Sequence, residues 1–273
     1  MLFPEKKSAL VRLSDMLKIG LDTCAITSRR ILDLFTPYEP IFREAQGIAR
    51  EALKDGATAE TDDRIRKVLS AVPEDVSWNG VRLQGQLHSE ALSTILSCCF
   101  CLESYVNSLA YFLFEETDFL GLIKDGHKVS AELLLDAIER MTTRQKWETV
   151  GRLRGGPGLD RSRAPFQDFQ ILFNFRDDHV HDKVVDYSDN RATKRYNGKL
   201  PDPVTGLLDL GHALYCAQTY WDMVHEIHKL IGVEEKAFHR HYNLAPWVDD
   251  GHQRELENLA AHYKEKLGSR STV

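Results

Sequence analysis

The sequence predicts an all-α protein. Apolar residues recur at three- and four-residue spacing almost throughout, no series of alternating strand-like segments appears, and residues 84–116 are apolar almost all round between Ile95 and Phe114. A helix apolar on every side belongs at the centre of a bundle. The expected architecture is therefore an antiparallel helical bundle over residues 81–235, with an N-terminal helical extension over 1–80 and a C-terminal helical tail over 236–273. At 273 residues, with 42% hydrophobic and 28% charged side chains, the chain can form a core without disulfides.

Within residues 1–80 the periodicity predicts amphipathic helices over 9–19, 22–35 and 40–53. Thr61 is followed by two acids and is expected to cap a short helix over 62–70, because free amides and the helix dipole both favour oxygen and negative charge there. Pro73 ends it. After the central helix, residues 130–141 form another amphipathic helix, and Thr142 or Thr143 suits the cap of a short helix carrying Trp147. The stretch GRLRGGPGLDRSR, residues 151–163, holds four glycines and a proline and is expected to be a loop. The next helix starts at Pro165, a residue suited to a first helical turn, and runs through Val185. A polar stretch over 186–203 leads to a long helix over about 205–231 and a last helix near 251–266.

The five cysteines are odd in number, and Cys98, Cys99 and Cys101 crowd one apolar helix. They suit reduced, packed thiols better than a disulfide framework, so a reducing compartment is expected. The start, MLFPEKKSALVRL, lacks the pattern of a secretory signal, and the cytoplasm is the expected location. Residues 94–114 have the length of a membrane span, but Glu103 and Asn107 sit at the centre. A central acid costs about 2.5–3.5 kcal/mol on insertion scales, which favours a buried core helix. A formal net charge of −6 gives no global attraction for nucleic acid, so RNA binding would need a local patch.

The chemistry concentrates in the helix after Pro165. Phe166, Phe169, Phe173, Val180 and Val184 form its apolar stripe, interrupted by Arg176 and Asp177. Burying those charges without partners is expensive, so something must pair with them. Asp177 and His181 are four apart on one face, and a carboxylate there can orient the imidazole and raise its pKa; Asp178, three residues away, is an alternative partner. Glu103 and Asn107 form a second polar pair with the same spacing and can face Arg176 across the bundle.

With its Arg, four residues, then His, the run FNFRDDHVHDKV resembles the motif of HEPN-domain proteins, as do CLESYVNSLAYFLFE and QKWETV upstream of it in that order. The resemblance covers roughly residues 85–232. It implies a HEPN-like helical bundle that pairs as a homodimer through the motif helices. In active relatives the shared cleft is a metal-independent endoribonuclease, many of them toxins or phage-defence effectors. By position, His181 would move protons and Arg176 would stabilise charge on the phosphate, leaving 2′,3′-cyclic phosphate and 5′-hydroxyl ends. No cofactor is implied; RNA is the implied substrate, and an antitoxin or regulatory protein is a further partner class. The residue after the Arg is often Asn and here is Asp177, and the Tyr found two after the His in the antitoxin-paired toxin branch is Lys183.

The chemistry is plausible in its own terms, since a histidine titrates near working pH and a guanidinium pairs with phosphate oxygens bidentately. Arg176 and His181 are about 140° apart around an ideal helix, so the long Arg side chain or a second subunit must close the gap. The bland reading stays open beside it: Arg176, Asp177 and His181 as an ion-pair network, with Glu103 and Asn107 in support, in a catalytically silent scaffold that binds nucleic acid or a protein. Arg144, Lys146, Arg152, Arg154, Arg161 and Arg163 outnumber Glu148 and Asp160 in the segment before the motif helix. They read either as an RNA-contacting lid, with Arg152, Arg154, Arg161 and Arg163 as its contacts, or as a solvated loop. Arg191, Lys194, Arg195 and Lys199 pose the same choice. His179 reads as a packing or surface histidine, and His225 with His228 lacks further ligands, so no metal site is expected.

Overall fold

The computed structural model describes residues 4–56, 58–112, 131–152, 157–180, 195–201, 206–232 and 250–267, and the regular structure among them is helical. The chain opens with one continuous helix, α1 (Pro4–Phe35), where the sequence predicted two. The expected break falls at Gly20, and this glycine has a packing role instead: a Cβ there would collide with the Thr94 hydroxyl. Its absence lets two backbones approach closely. A 3₁₀ turn (Thr36–Tyr38) leads into α2 (Glu39–Asp55), which ends at Gly56 in a positive-φ conformation of 91°.

In α3 (Ala59–Leu69) the cap is Thr58 rather than Thr61, its hydroxyl accepting from the Thr61 amide at 3.3 Å. The long helix α4 (Glu74–Phe112) begins at Glu74 rather than near residue 84. Its first turns bury little beyond Gly80 and Leu83 and carry Trp78 and Val81 exposed, which hides the helical stripe in the sequence. Gly80 makes room for the Phe35 ring. With Gly20 beside Thr94 and Phe35 beside Gly80, α1 and α4 run antiparallel.

The helix α5 (Ala131–Arg140) precedes α6 (Thr143–Val150), where Thr142 and Gln145 form a capping box by satisfying each other's backbone amides. The motif helix α7 (Phe166–Val180) follows residues 157–165, which are irregular as expected of that part of the loop. A second capping box, Asp209 with His212, starts α8 (Leu210–Ile231), and Gly232 ends it in the left-handed region at φ 68°. The chain's last described helix is α9 (Asp250–Leu267).

At the centre stands α4, packed against α1, α5, α6, α7 and α8, while α9 closes against α1 and α8. One hydrophobic core runs from Leu17 on α1 to Leu267 on α9. The fully buried side chains of α4 include Ile95, Cys98, Cys99, Leu102, Tyr105 and Val106. Among the described residues α4 is also the helix long and apolar enough to cross a membrane, and most of its apolar stretch is buried inside the protein. Trp147, brought in by α6, lies 6.1 Å from the Tyr105 ring and 6.1 Å from the Phe169 ring, tying α4, α6 and α7 together.

Candidate functional site

The α4–α7 seam is apolar until it reaches Arg176, near the C-terminal end of α7. The α7 stripe holds through Phe166, Phe169 and Phe173, and Ile171, Leu172 and Phe175 are buried as well. Val180 departs from the expected stripe and is 59% exposed, because the end of α7 emerges from the core. Arg176 lies where burial gives way to solvent, its side chain 23% exposed.

Three groups hold its guanidinium. Nε and Nη2 donate to Asp177 Oδ1 at 3.1 and 2.8 Å, Nη1 lies 3.6 Å from Glu103 Oε2, and the guanidinium carbon stands 4.6 Å from the centroid of the Phe173 ring. Glu103 and Asp177 are 41% and 37% exposed, so each pairing contributes only about 0.2–1 kcal/mol. The guanidinium is positioned, yet a strong anion can draw it away from these partners at small cost.

Asn107 does not meet Arg176. It lies four residues beyond Glu103 on α4 and accepts a hydrogen bond from Lys146 Nζ at 2.8 Å. Lys146 is buried at 8% exposure and comes from α6, which corrects its assignment to a basic loop. An α-helix places residues i and i+4 on one face, so α4 presents Glu103 and Asn107 side by side to two cations from two other helices. With Arg176 and Lys146 counted against Glu103 and Asp177, the formal charge of the cluster is zero. Lys146 is a site residue that the sequence signals only by its position next to Trp147 on the buried side of a capped helix.

A second polar knot ties the end of α7 to the segment 195–201. The Asp178 side chain is 1% exposed; it accepts a hydrogen bond from the Tyr196 hydroxyl and pairs with Arg195 Nε at 2.9 Å. Both contacts fall on Asp178 Oδ2, and Arg195 leaves the second basic run for a structural pairing. His179 turns the other way, its Nδ1 2.9 Å from the Phe175 carbonyl and its ring 4.1 Å from the Phe175 ring centroid. His88 on α4 lies close by. Its Nδ1 accepts from the Leu208 amide at 3.1 Å, and burial, reinforced by the nearby His179, lowers its pKa.

His181 and Arg154 lie outside the described residues, as do Arg191 and Lys194. The remaining basic residues of the expected lid are largely engaged. Arg161 pairs with Glu148, Arg163 lies 3.2 Å from Asp160 and 4.0 Å from Glu226, and Arg144 donates to Asn174 at 3.4 Å. Arg152 is exposed and rests against Gly158. Lys199 stands 5.7 Å from the Tyr215 ring. His228 pairs with the Tyr105 hydroxyl in the core. Among the described residues no three His, Cys, Asp or Glu side chains are placed to share a metal ion.

Comparison with protein-family models, with curated proteins and with solved structures gives no match. The geometry of the seam itself carries the functional reading.

Proposed function

We propose that the chain is a metal-independent endoribonuclease of the HEPN type, in which a homodimer brings two copies of the α7 motif together over RNA. The observation that supports this reading best is Arg176: a guanidinium on the rim of the core, held in place by Glu103 and Asp177 but at little cost to release. In the proposed cleavage the ribose 2′-hydroxyl attacks the neighbouring phosphorus and the 5′-oxygen departs. Arg176 shifts from its carboxylates to the non-bridging phosphate oxygens and stabilises their charge. Of the two His181 imidazoles in the dimer, one takes the hydroxyl proton and the other supplies one to the leaving oxygen. Lys146, on its Asn107 acceptor, adds positive potential close behind.

Dimerisation has support on the same faces. Phe100, three residues before Glu103 on α4, is 52% exposed, and Val180, four residues after Arg176 on α7, is 59% exposed. Both place apolar surface beside the charged cluster, where a second copy would cover it.

A second reading, a catalytically silent scaffold with the same bundle, draws on a specific observation: Arg176 already has two carboxylates and the cluster is formally neutral. Cleavage of a mixed labelled RNA pool in EDTA separates the two. The ribonuclease cuts, and Arg176→Ala and His181→Ala each abolish the cut. A folded, dimeric parent that leaves RNA intact would favour the scaffold.

A further inference from the structure

Away from the α4–α7 seam, a cleft of about 400 Å³ opens where the end of α1, the whole width of α2 and the end of α9 meet. That volume falls in the range of small-molecule sites. Its inner wall is apolar: Leu32 and Phe35 are buried, and Phe42 stands edge-on to Phe35 with ring centroids 5.3 Å apart. Its rim is charged. Glu39 accepts from Lys266 at 2.6 Å and pairs with Arg43, which ties the start of α2 to the end of α9 across the cleft. Arg50 lines the same cleft, is exposed, and has no carboxylate partner among the described residues. Counting Glu265 at the edge, three cations face two carboxylates.

Gly47 sits between the two arginines. Residues 43, 47 and 50 share one face of α2, and this face lines the cleft. A Cβ at Gly47 would meet nothing within 4 Å, so no close packing requires a glycine there. Glycine in a helix interior is a destabilising choice. What its missing side chain does provide is an open entry to the aromatic wall.

We propose that this cleft binds a small aromatic carboxylic acid, its ring against Phe35 and Phe42 and its carboxylate on Arg50. The arginine fork matches a carboxylate bidentately, and an anionic head also reinforces the two cations that Glu39 shares. The apolar wall selects for the ring, and the surplus positive charge selects against the neutral analogue.

The test is a titration of the full chain with indole-3-propionate, read by calorimetry and by saturation-transfer NMR, with the uncharged indole-3-propionamide and inorganic phosphate as comparisons. Saturable binding of the acid is expected, with the amide and phosphate each weaker by about tenfold or more. Arg50→Gln, an exposed change that leaves the core intact, should weaken the acid by about tenfold. Gly47→Leu should abolish binding while the melting temperature holds or rises, since leucine favours helix and fills open space. Absence of saturable binding by the acid, equal binding of the amide, equal binding of phosphate alone, or binding that survives both substitutions would each overturn the proposal.

Discussion

Arg176 and Glu103 approach to 3.6 Å across the α4–α7 seam, although 73 positions separate them in the chain. One turn further along α4, Asn107 holds Lys146 at 2.8 Å. Two cations from two different helices are thus collected by one face of the central helix, and the consequences of that arrangement are measurable.

Asp177 is the side chain that most directly competes with a phosphate for Arg176. Asp177→Asn keeps the shape and removes the charge, and it should raise affinity for single-stranded RNA several-fold at low salt. Because Asp177 is 37% exposed, global stability should change by less than about 1 kcal/mol. Fluorescence anisotropy with a labelled oligonucleotide, alongside urea unfolding, checks both parts; weaker RNA binding by the variant would contradict the placement of phosphate at Arg176.

Lys146 is buried, so its acceptor matters more than a surface partner would. Asn107→Leu leaves the ammonium without that hydrogen bond and should cost about 1.5–3 kcal/mol in urea unfolding. Lys146→Met removes the charge together with the need for the acceptor and should cost less. A reversed order would mean that the ammonium finds another partner.

Asp178, at the C-terminal end of the motif helix, has a comparable structural role. Its side chain is 1% exposed and pairs with Tyr196 and with the 39% exposed Arg195, so Asp178→Ala, which leaves the buried Tyr196 hydroxyl without its acceptor, should destabilise the fold by about 2–3 kcal/mol. Tyr196→Phe removes one hydrogen bond and should cost nearer 1 kcal/mol. Thermal unfolding of the two variants gives the comparison, and equal losses would argue against Asp178 as the anchor.

His88 makes stability depend on pH. Burial, aided by the nearby His179, lowers its pKa below the ordinary 6.5, and its Nδ1 must stay unprotonated to accept from Leu208. Between the folded value and 6.5 the unfolded chain binds the proton and the folded chain does not, so stability rises with pH across that interval. His88 therefore contributes fully above 6.5, and its contribution is lost as pH falls through the folded value. Urea midpoints measured from pH 7 downward should fall, and His88→Gln should flatten the slope. An unchanged slope in the variant would assign the effect elsewhere.

The five thiols should be silent in the folded protein. All are buried, and burial pushes Cys24 and Cys101 up to about 12 and raises Cys98, Cys99 and Cys216 as well. Alkylation at pH 8 followed by intact-mass measurement should show no rapid adduct until denaturant is added.

The helical class, the buried course of α4, the cap at Thr142 and the meeting of Glu103 with Arg176 were legible in the sequence, because each rests on periodicity or on a local residue type. Other features depend on partners far along the chain. Gly20 reads as a break until Thr94 is set against it, and Thr58 and Thr61 are equally good caps until the backbone shows which amide is free. Lys146 looks like one of a run of basic residues; only the packing of Trp147 between Tyr105 and Phe169 turns it inward onto Asn107. The pairing of Asp178 with Tyr196, 18 residues on, has no local signal in the sequence.

The most direct measurement is the chemistry of the RNA ends. The parent protein, incubated in EDTA with a labelled RNA pool, should leave 2′,3′-cyclic phosphate and 5′-hydroxyl termini, and Arg176→Ala, refolded and dimeric, should leave none. Intact RNA with the parent, or cleavage that persists undiminished in Arg176→Ala, would contradict the assignment of Arg176 to phosphate.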